Sequence, residues 1–191
     1  METQILQQRA AYGLNVESSI MALSHEHAVD LFSKAMYRLL NINKWHTLPC
    51  SLLSELKLTD DRGLNVDRQV RENDYFVVNN KNGNGEWVKV ERVFLQCDPS
   101  GPREVLTIRA RPSCNPLVAD EEAIRPSNTF KVTRQGLNIT ASVCGKNEVD
   151  VPTKSSVAIE AERPDLTVGA IPGVARVQWR SLVNGILSTW S

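Results

Sequence analysis

This sequence lacks almost every feature that would assign a chemistry to it. Its 191 residues include 22 Lys and Arg against 22 Asp and Glu, so the formal net charge is zero. A neutral chain lacks the positive field that produces non-specific binding to nucleic acid or anionic membranes. No apolar run approaches the about 20 residues of a membrane-spanning helix, and Met1 to Gly13 lack the apolar core of a signal peptide. These absences predict a cytoplasmic protein with neither a nucleic-acid nor a membrane partner.

The metal-binding patterns are also missing. The four cysteines are widely spaced and form no CxxC pair, which is the usual source of zinc ligands; they are Cys50, Cys97, Cys114 and Cys144. Reduced thiols are the expectation in the cytoplasm, and two disulfides are the alternative. His25 and His27 are two residues apart at a predicted helix start, where they point in different directions and cannot easily share one ion. The sequence therefore predicts no metal site.

Catalytic and cofactor motifs are absent as well. There is no GxSxG nucleophile turn, no GxGxxG and no GxxxxGK[ST] phosphate loop. The one glycine-rich stretch, Asn82 to Gly85, precedes a strand, so it lacks the helix N-terminus that would hold a phosphate. The sequence predicts no catalytic residue and no cofactor, and it favours a protein that is not an enzyme.

Two amphipathic helices enclose the predicted fold. The first begins after an N-cap at Ser24 and ends near Asn41, with Asp30 and Lys34 as an i,i+4 pair on its outside. Its apolar face is Ala28, Leu31, Phe32, Ala35, Met36, Leu39 and Leu40. The second helix presents Ala175, Trp179, Leu182, Val183, Ile186 and Leu187 on one face.

In the middle of the chain, apolar and polar residues alternate as they do in β-strands, in about six short segments. A slip in this alternation near Glu91 and Arg92 predicts a β-bulge, and Arg134 to Gly136 predicts a hairpin turn. The expected class is α+β, with a mostly antiparallel sheet or small barrel flanked by the two helices. An open sheet that grips the C-terminal helix is the alternative to a barrel.

The predicted domain organisation is simple. Residues 1–23 are expected to form a polar N-terminal arm, and residues 24–191 a single α+β domain. Within that domain the periodicity disappears over 146–173, where prolines interrupt the chain. This segment is expected to be an extended connector to the C-terminal helix.

Several short stretches resemble a set of uncharacterised bacterial hypothetical proteins. They occur in the same order along residues 25 to 187, and no activity accompanies the resemblance. The stretches are Trp45-His46, Glu86 to Glu91, Arg111 to Ser113 with Asn115-Pro116, Thr129 to Val132, Gly145 to Glu148, and Gln178 to Leu182. The resemblance implies a bacterial single-domain protein of unknown function and assigns no catalytic residue.

Five residues are candidates for ligand binding. Arg109 and Arg111 share one strand face, followed by Asn115, and two guanidinium groups at this spacing could hold a carboxylate or phosphate. The alternative is an exposed sheet face on which each arginine pairs with a carboxylate of the next strand. Trp45 and His46 follow the first helix, where they could line a cavity or, alternatively, close the bottom of the core.

The predicted function is association rather than catalysis. The C-terminal helix face carries the candidate partner-binding residues Trp179, Leu182, Val183 and Ile186, which either pack on the sheet or dock another chain. A protein partner or self-association is therefore expected. The alternative is a small-molecule binding protein, with an apolar pocket between the curved sheet and the C-terminal helix.

Overall fold

The computed structural model describes residues 14–79, 85–98, 103–118, 126–145 and 171–189. Most of the predicted connector, the first half of the predicted arm and the Asn-Gly turn at 80–84 lie outside these ranges. The elements are β1 (Asn15–Met21), α1 (His25–Leu40), a 3-10 helix (Ile42–Thr47), β2 (Leu56–Thr59), β3 (Tyr75–Asn79), β4 (Gly85–Cys97), β5 (Arg103–Ser113), β6 (Asn128–Gln135), β7 (Asn138–Gly145) and α2 (Arg176–Leu187).

The seven strands form one antiparallel sheet in the order β1-β7-β6-β5-β4-β3-β2. The sheet is open, because β1 and β2 lie at its two ends and do not pair with each other. The α+β class is therefore confirmed. The strand count is seven rather than about six.

The additional strand is β1, which lies inside the segment expected to be a polar arm. It pairs with β7 over its whole length, from Asn15 opposite Cys144 to Met21 opposite Asn138. Val16 is buried on the face that α2 covers, whereas Glu17 and Ser19 point away from it and are exposed. Residues 15–21 thus belong to the sheet.

Helix α1 begins as its sequence predicts. Ser24 is the N-cap, and its Oγ accepts a hydrogen bond from the backbone N–H of His27 at 3.2 Å. Lys34 and Asp30 form the expected i,i+4 ion pair at 2.8 Å. The buried face of α1 lies against β6 and β7, which places the helix over the half of the sheet nearest β1.

Both helices lie on the same face of the sheet, which we call the inner face. An aromatic cluster fills the space between them and the strands: the Trp45 ring lies 5.2 Å from Phe130 and 6.0 Å from Phe76, and Phe130 lies 5.4 Å from Trp179 between ring centroids. Arg38 of α1 donates through Nη1 to backbone carbonyls at the C-terminus of α2, where the helix leaves acceptors unsatisfied. The two helices are thereby joined to each other as well as to the sheet.

The described helices include none that is long and apolar enough to span a membrane.

Candidate functional site

A groove crosses β4, β5 and β6 on the outer face of the sheet, opposite the helices. It has a volume of about 580 Å³ and is lined by Glu91, Arg92, Phe94, Thr107, Arg109, Thr129 and Lys131. The strand register arranges most of these side chains in two adjacent cross-strand rows. One row is Arg92, Arg109 and Thr129, and the other is Phe94, Thr107 and Lys131.

A β-bulge shapes this groove. The register of β4 against β5 shifts between Val90, which lies opposite Ala110, and Arg92, which lies opposite Arg109. Glu91 is the extra residue, as the slip in the sequence pattern predicted. The bulge allows Glu91 and Arg92, which are consecutive, both to line the groove.

The carboxylate of Glu91 organises the two arginines of β5. Its Oε2 accepts from Arg109 Nε at 3.1 Å and from Ser127 Oγ at 2.9 Å, and its Oε1 lies 2.9 Å from Arg111 Nε. Arg109 and Arg111 therefore form the cross-strand ion pairs that were the alternative to a ligand site. Their partner carboxylate belongs to the adjacent strand β4.

The groove nevertheless keeps an excess of positive charge. Among the described residues of its lining there are three cations, Arg92, Arg109 and Lys131, and one carboxylate, Glu91. Neither Arg92 nor Lys131 makes a hydrogen bond or ion pair within the described parts of the chain, and both side chains are exposed. Arg92 also lies directly opposite Arg109, an arrangement that is unfavourable without a counter-charge.

The remaining candidate ligand residues lie elsewhere. Asn115 stabilises a turn, because its Oδ1 accepts from the backbone N–H of Leu117 at 2.9 Å. Trp45 is fully buried on the inner face, and its Nε1 donates to the carbonyl oxygens of Arg38 and Leu39 at 3.2 and 3.1 Å. His46 is half-buried in the 3-10 helix. The structure thus brings Arg109 and Arg111 together but does not bring Trp45 or Asn115 to them.

The candidate partner-binding residues of α2 lie in the core. Trp179, Leu182 and Val183 are fully buried, and Ile186 is 2% exposed. The amphipathic face of α2 thus packs on the sheet, as one of the two interpretations of the sequence predicts. A docking role for these four side chains stays a prediction, and it would require α2 to leave the sheet.

Two buried polar groups occur on the inner side of the sheet. The side chain of Asn128 has no exposed surface, and neither its Oδ1 nor its Nδ2 has a hydrogen-bond partner among the described residues. Trp179 Nε1 is also buried and has no hydrogen-bond partner among the described residues. Phe130 neighbours both, since it is two residues from Asn128 on the same strand face and its ring lies 5.4 Å from that of Trp179. Such unpaired groups are rare in folded proteins, because each costs free energy when it is desolvated.

The residues beside Asn128 are unusually small. In the register of the sheet, Asn128 lies between Ala110 of β5 and Gly145 of β7. These neighbours present only a methyl group and a hydrogen atom on the inner face. The carboxamide therefore has no polar side chain next to it on either adjacent strand.

The two edges of the sheet differ. At the β2 edge, the backbone N–H of Leu58 donates to Asn43 Oδ1 at 2.7 Å, and its carbonyl accepts from Val66 N–H at 3.0 Å. At the β1 edge, the even-numbered residues direct their backbone groups toward β7: Leu14 accepts from Gly145 and Ala22 donates to Leu137. The odd-numbered residues of β1 therefore direct theirs outward.

These outward-directed groups are largely unsatisfied within the described ranges. Arg176 Nη2 donates to the carbonyl of Asn15 at 3.3 Å. Among the described strands, β1 is the last of the sheet, so the backbone groups of Glu17, Ser19 and Met21 make no bond to a further described strand. β1 thus leaves a row of donors and acceptors open over several residues.

The polar cluster outside these sites is structural. Asp74 is 3% exposed and holds Arg68 through two hydrogen bonds of 2.6 and 2.9 Å, while also accepting from the backbone N–H of Arg71. The hydrogen bond to Asp74 raises the pKa of Arg68 above its ordinary value. Arginine is charged at every accessible pH in any case, so this hydrogen-bonded pair fixes the loop before β3.

All four cysteines carry free thiols in this structure. Within the described ranges, no three His, Cys, Asp or Glu side chains lie close enough together to hold a metal ion.

The comparisons with known proteins give little further information. No protein-family model and no curated protein matches the chain. Among solved structures, it is similar to a hypothetical protein from Helicobacter pylori with 12% sequence identity and a TM-score of 0.41, over 75% of this chain and 79% of that chain. None of these comparisons assigns a function.

Sequence reasoning identified only Arg109 among the lining residues of the groove and did not identify Asn128. Lys131 and Glu91 are separated from Arg109 by 22 and 18 positions along the chain, so only the strand register brings them together. Asn128 stands at the start of β6, where a polar residue resembles the end of a loop. A signal for Glu91 existed in the predicted bulge, whereas no sequence signal indicates the burial of Asn128.

Proposed function

We propose that this chain is a non-enzymatic association subunit that pairs with a second copy of itself through the outer edge of β1. The observation that supports the proposal is the contrast between the two sheet edges. Side-chain and backbone partners satisfy Leu58 of β2, whereas within the described ranges the outward backbone groups of Glu17, Ser19 and Met21 in β1 have no strand beside them. Natural proteins usually protect such an edge with lysine, proline or a bulge, and β1 contains none of these.

The sequence of β1 favours one register of self-pairing. If two copies pair antiparallel about Ser18, all seven residues overlap, and Val16 lies opposite Ile20 of the second copy. Glu17, the one charged residue of β1, then lies opposite Ser19 of the second copy, so no like charges meet. A register about Glu17 would place two carboxylates opposite each other and is disfavoured.

Exposed apolar side chains lie beside this edge. Met21 is 75% exposed and Leu23, two residues further, is 90% exposed. Pairing through β1 would bring Met21 next to Asn15 of the second copy and remove part of this apolar surface from water. Burial of apolar area adds a favourable contribution to the backbone hydrogen bonds.

Replacing Ser19 by proline is expected to abolish self-association without unfolding the protein. Proline removes the N–H of residue 19, which points outward, and it is tolerated on an edge strand when that N–H faces solvent. Light scattering after size exclusion should give twice the 21.3 kDa chain mass for the wild type and the single chain mass for Ser19→Pro.

Ser19→Ala is the matched control, because it keeps the N–H and changes only the exposed side chain. This control should retain the wild-type mass. A wild type that remains a monomer over the whole accessible concentration range would contradict the proposal, and so would a Ser19→Pro variant that remains dimeric.

A second candidate function is the binding of a small molecule between the sheet and α2. The specific observation in its favour is the pair of buried, unpartnered groups, Asn128 and Trp179 Nε1, within the described chain. A ligand that offers both an acceptor and a donor would satisfy them. The aromatic cluster occupies most of the remaining interface, so this candidate calls for a small polar group and not a large apolar body.

The Asn128→Leu variant distinguishes a ligand-binding site from a core in which nothing binds. If nothing binds, removing an unpaired buried amide should raise the free energy of unfolding by about 1–3 kcal/mol in chemical denaturation. If a ligand pairs with Asn128, native mass spectrometry of the wild type should show an added mass that Asn128→Leu loses. Asn184→Leu, at an exposed position of α2, is the control and should change neither quantity. An apo mass for the wild type together with a stabilised Asn128→Leu variant would eliminate the candidate.

A further inference from the structure

We propose that the outer-face groove across β4, β5 and β6 binds a small organic phosphate, with its phosphate between Arg92 and Lys131 and its apolar part against Phe94. This site is separate from the β1 edge, and the two can be tested independently. The groove volume of about 580 Å³ lies within the range of small-molecule sites.

The charges of the groove favour an anion. Among the described lining residues three cations exceed one carboxylate, and that carboxylate is already shared between Arg109, Arg111 and Ser127. Arg92 and Lys131 have no such partner in the described structure, and Arg92 lies directly opposite Arg109. A bound anion would supply a counter-charge for Arg92 and Lys131, beside the carboxylate of Glu91 that already pairs with Arg109. Guanidinium and ammonium groups form strong, charge-assisted hydrogen bonds with phosphate oxygens.

The geometry of the sheet adds a polar floor. Thr107 lies between Phe94 and Lys131 in one cross-strand row and is only 4% exposed, so the longer side chains on either side form walls above it. Thr129 occupies the end of the other row, beside Arg109. Threonine hydroxyls can donate to phosphate oxygens that reach the base of the groove.

One wall of the groove is apolar. Phe94 belongs to the lining. Its side chain is 37% exposed because it points away from the hydrophobic core. An exposed aromatic ring beside a cluster of cations suits a ligand that joins a flat apolar part to an anionic group. This feature distinguishes an organic phosphate from a free inorganic ion.

Phenyl phosphate is a suitable probe, with inorganic phosphate as the comparison, both titrated at constant ionic strength by calorimetry. Phenyl phosphate should bind saturably and several-fold more tightly than inorganic phosphate. Arg92→Gln and Lys131→Gln should each weaken both ligands by about tenfold, the effect of losing one charge-assisted contact. Phe94→Ala should weaken phenyl phosphate alone and bring its affinity to that of inorganic phosphate.

Lys44→Gln, at an exposed position of the 3-10 helix, is the matched control and should leave both affinities unchanged. Since Arg92 and Lys131 are exposed, their variants are expected to fold, and circular dichroism checks this. Non-saturable binding, or equal weakening by Lys44→Gln, would overturn the site. Equal affinities for the two ligands in the wild type would overturn the role of Phe94 and with it the organic part of the ligand.

Discussion

Trp179→Ala is expected to lower the free energy of unfolding by about 3–5 kcal/mol, the usual loss when a large buried aromatic side chain is removed. Trp179 is fully buried in the first half of α2 and packs edge-on against Phe130 of β6. A helix of 12 residues is marginal in water on its own, so α2 depends on this packing. Chemical denaturation of dilute protein measures the loss directly.

Val177→Ala is the control for this experiment. Val177 belongs to the same helix but is 59% exposed, so its truncation should change stability by no more than about 0.5 kcal/mol. Unchanged stability for Trp179→Ala, together with lost self-association, would instead assign the face of α2 to docking another chain.

Truncation after Gly173 removes the whole helix and should leave the remaining chain insoluble or partly unfolded.

Phe32→Ala should also lower the free energy of unfolding by about 3–5 kcal/mol. Phe32 is 2% exposed on the face of α1 that packs against β6 and β7, so its removal leaves a cavity between helix and sheet. Thermal or chemical unfolding of the variant against the wild type gives the difference.

Tyr37→Ala is the matched control, because Tyr37 is an aromatic residue of the same helix that is 63% exposed. Tyr37→Ala should therefore change the free energy of unfolding only slightly. A loss below about 1 kcal/mol for Phe32→Ala, the scale of an ordinary surface change, would show that this face of α1 is not part of the core.

The helices were predictable because their signals are local. The cap at Ser24 and the apolar face of α1 follow from a spacing of three and four residues, which the sequence shows directly. The same holds for the bulge at Glu91, which appears as a slip in a two-residue alternation. Most of the predicted strands also alternate clearly enough to be recognised.

β1 was not predicted because the alternation of apolar and polar residues in it is weak. Val16 and Ile20 are separated by Ser18 on the inner face, and the other face carries Glu17 and Ser19. Its burial comes from β7 and α2, which lie more than 100 residues further along the chain. A strand stabilised by such distant partners leaves little trace in its own composition.

The candidate sites depend on register, which a single sequence does not contain. That Arg109 and Arg111 share a face was predictable from alternation, but their common partner Glu91 required knowing which residues of β4 oppose β5. The same reasoning applies to Lys131, which faces Thr107 only in the observed register. The open edge of β1 could not be predicted either, since the strand itself was not.

A cysteine cross-link at Ser18 tests the proposed pairing of β1 most directly. In a pair centred on Ser18, this residue faces its counterpart in the second copy as a non-hydrogen-bonded pair, with Cα atoms about 4.5 Å apart, within the range of a disulfide. The variant is Ser18→Cys with the four native cysteines replaced by serine, and Ser33→Cys, at an exposed position of α1, in the same background is the control. After mild oxidation, a non-reducing gel should show a covalent dimer for Ser18→Cys and a monomer for Ser33→Cys. A monomer in both, or equal dimer in both, would contradict association through β1.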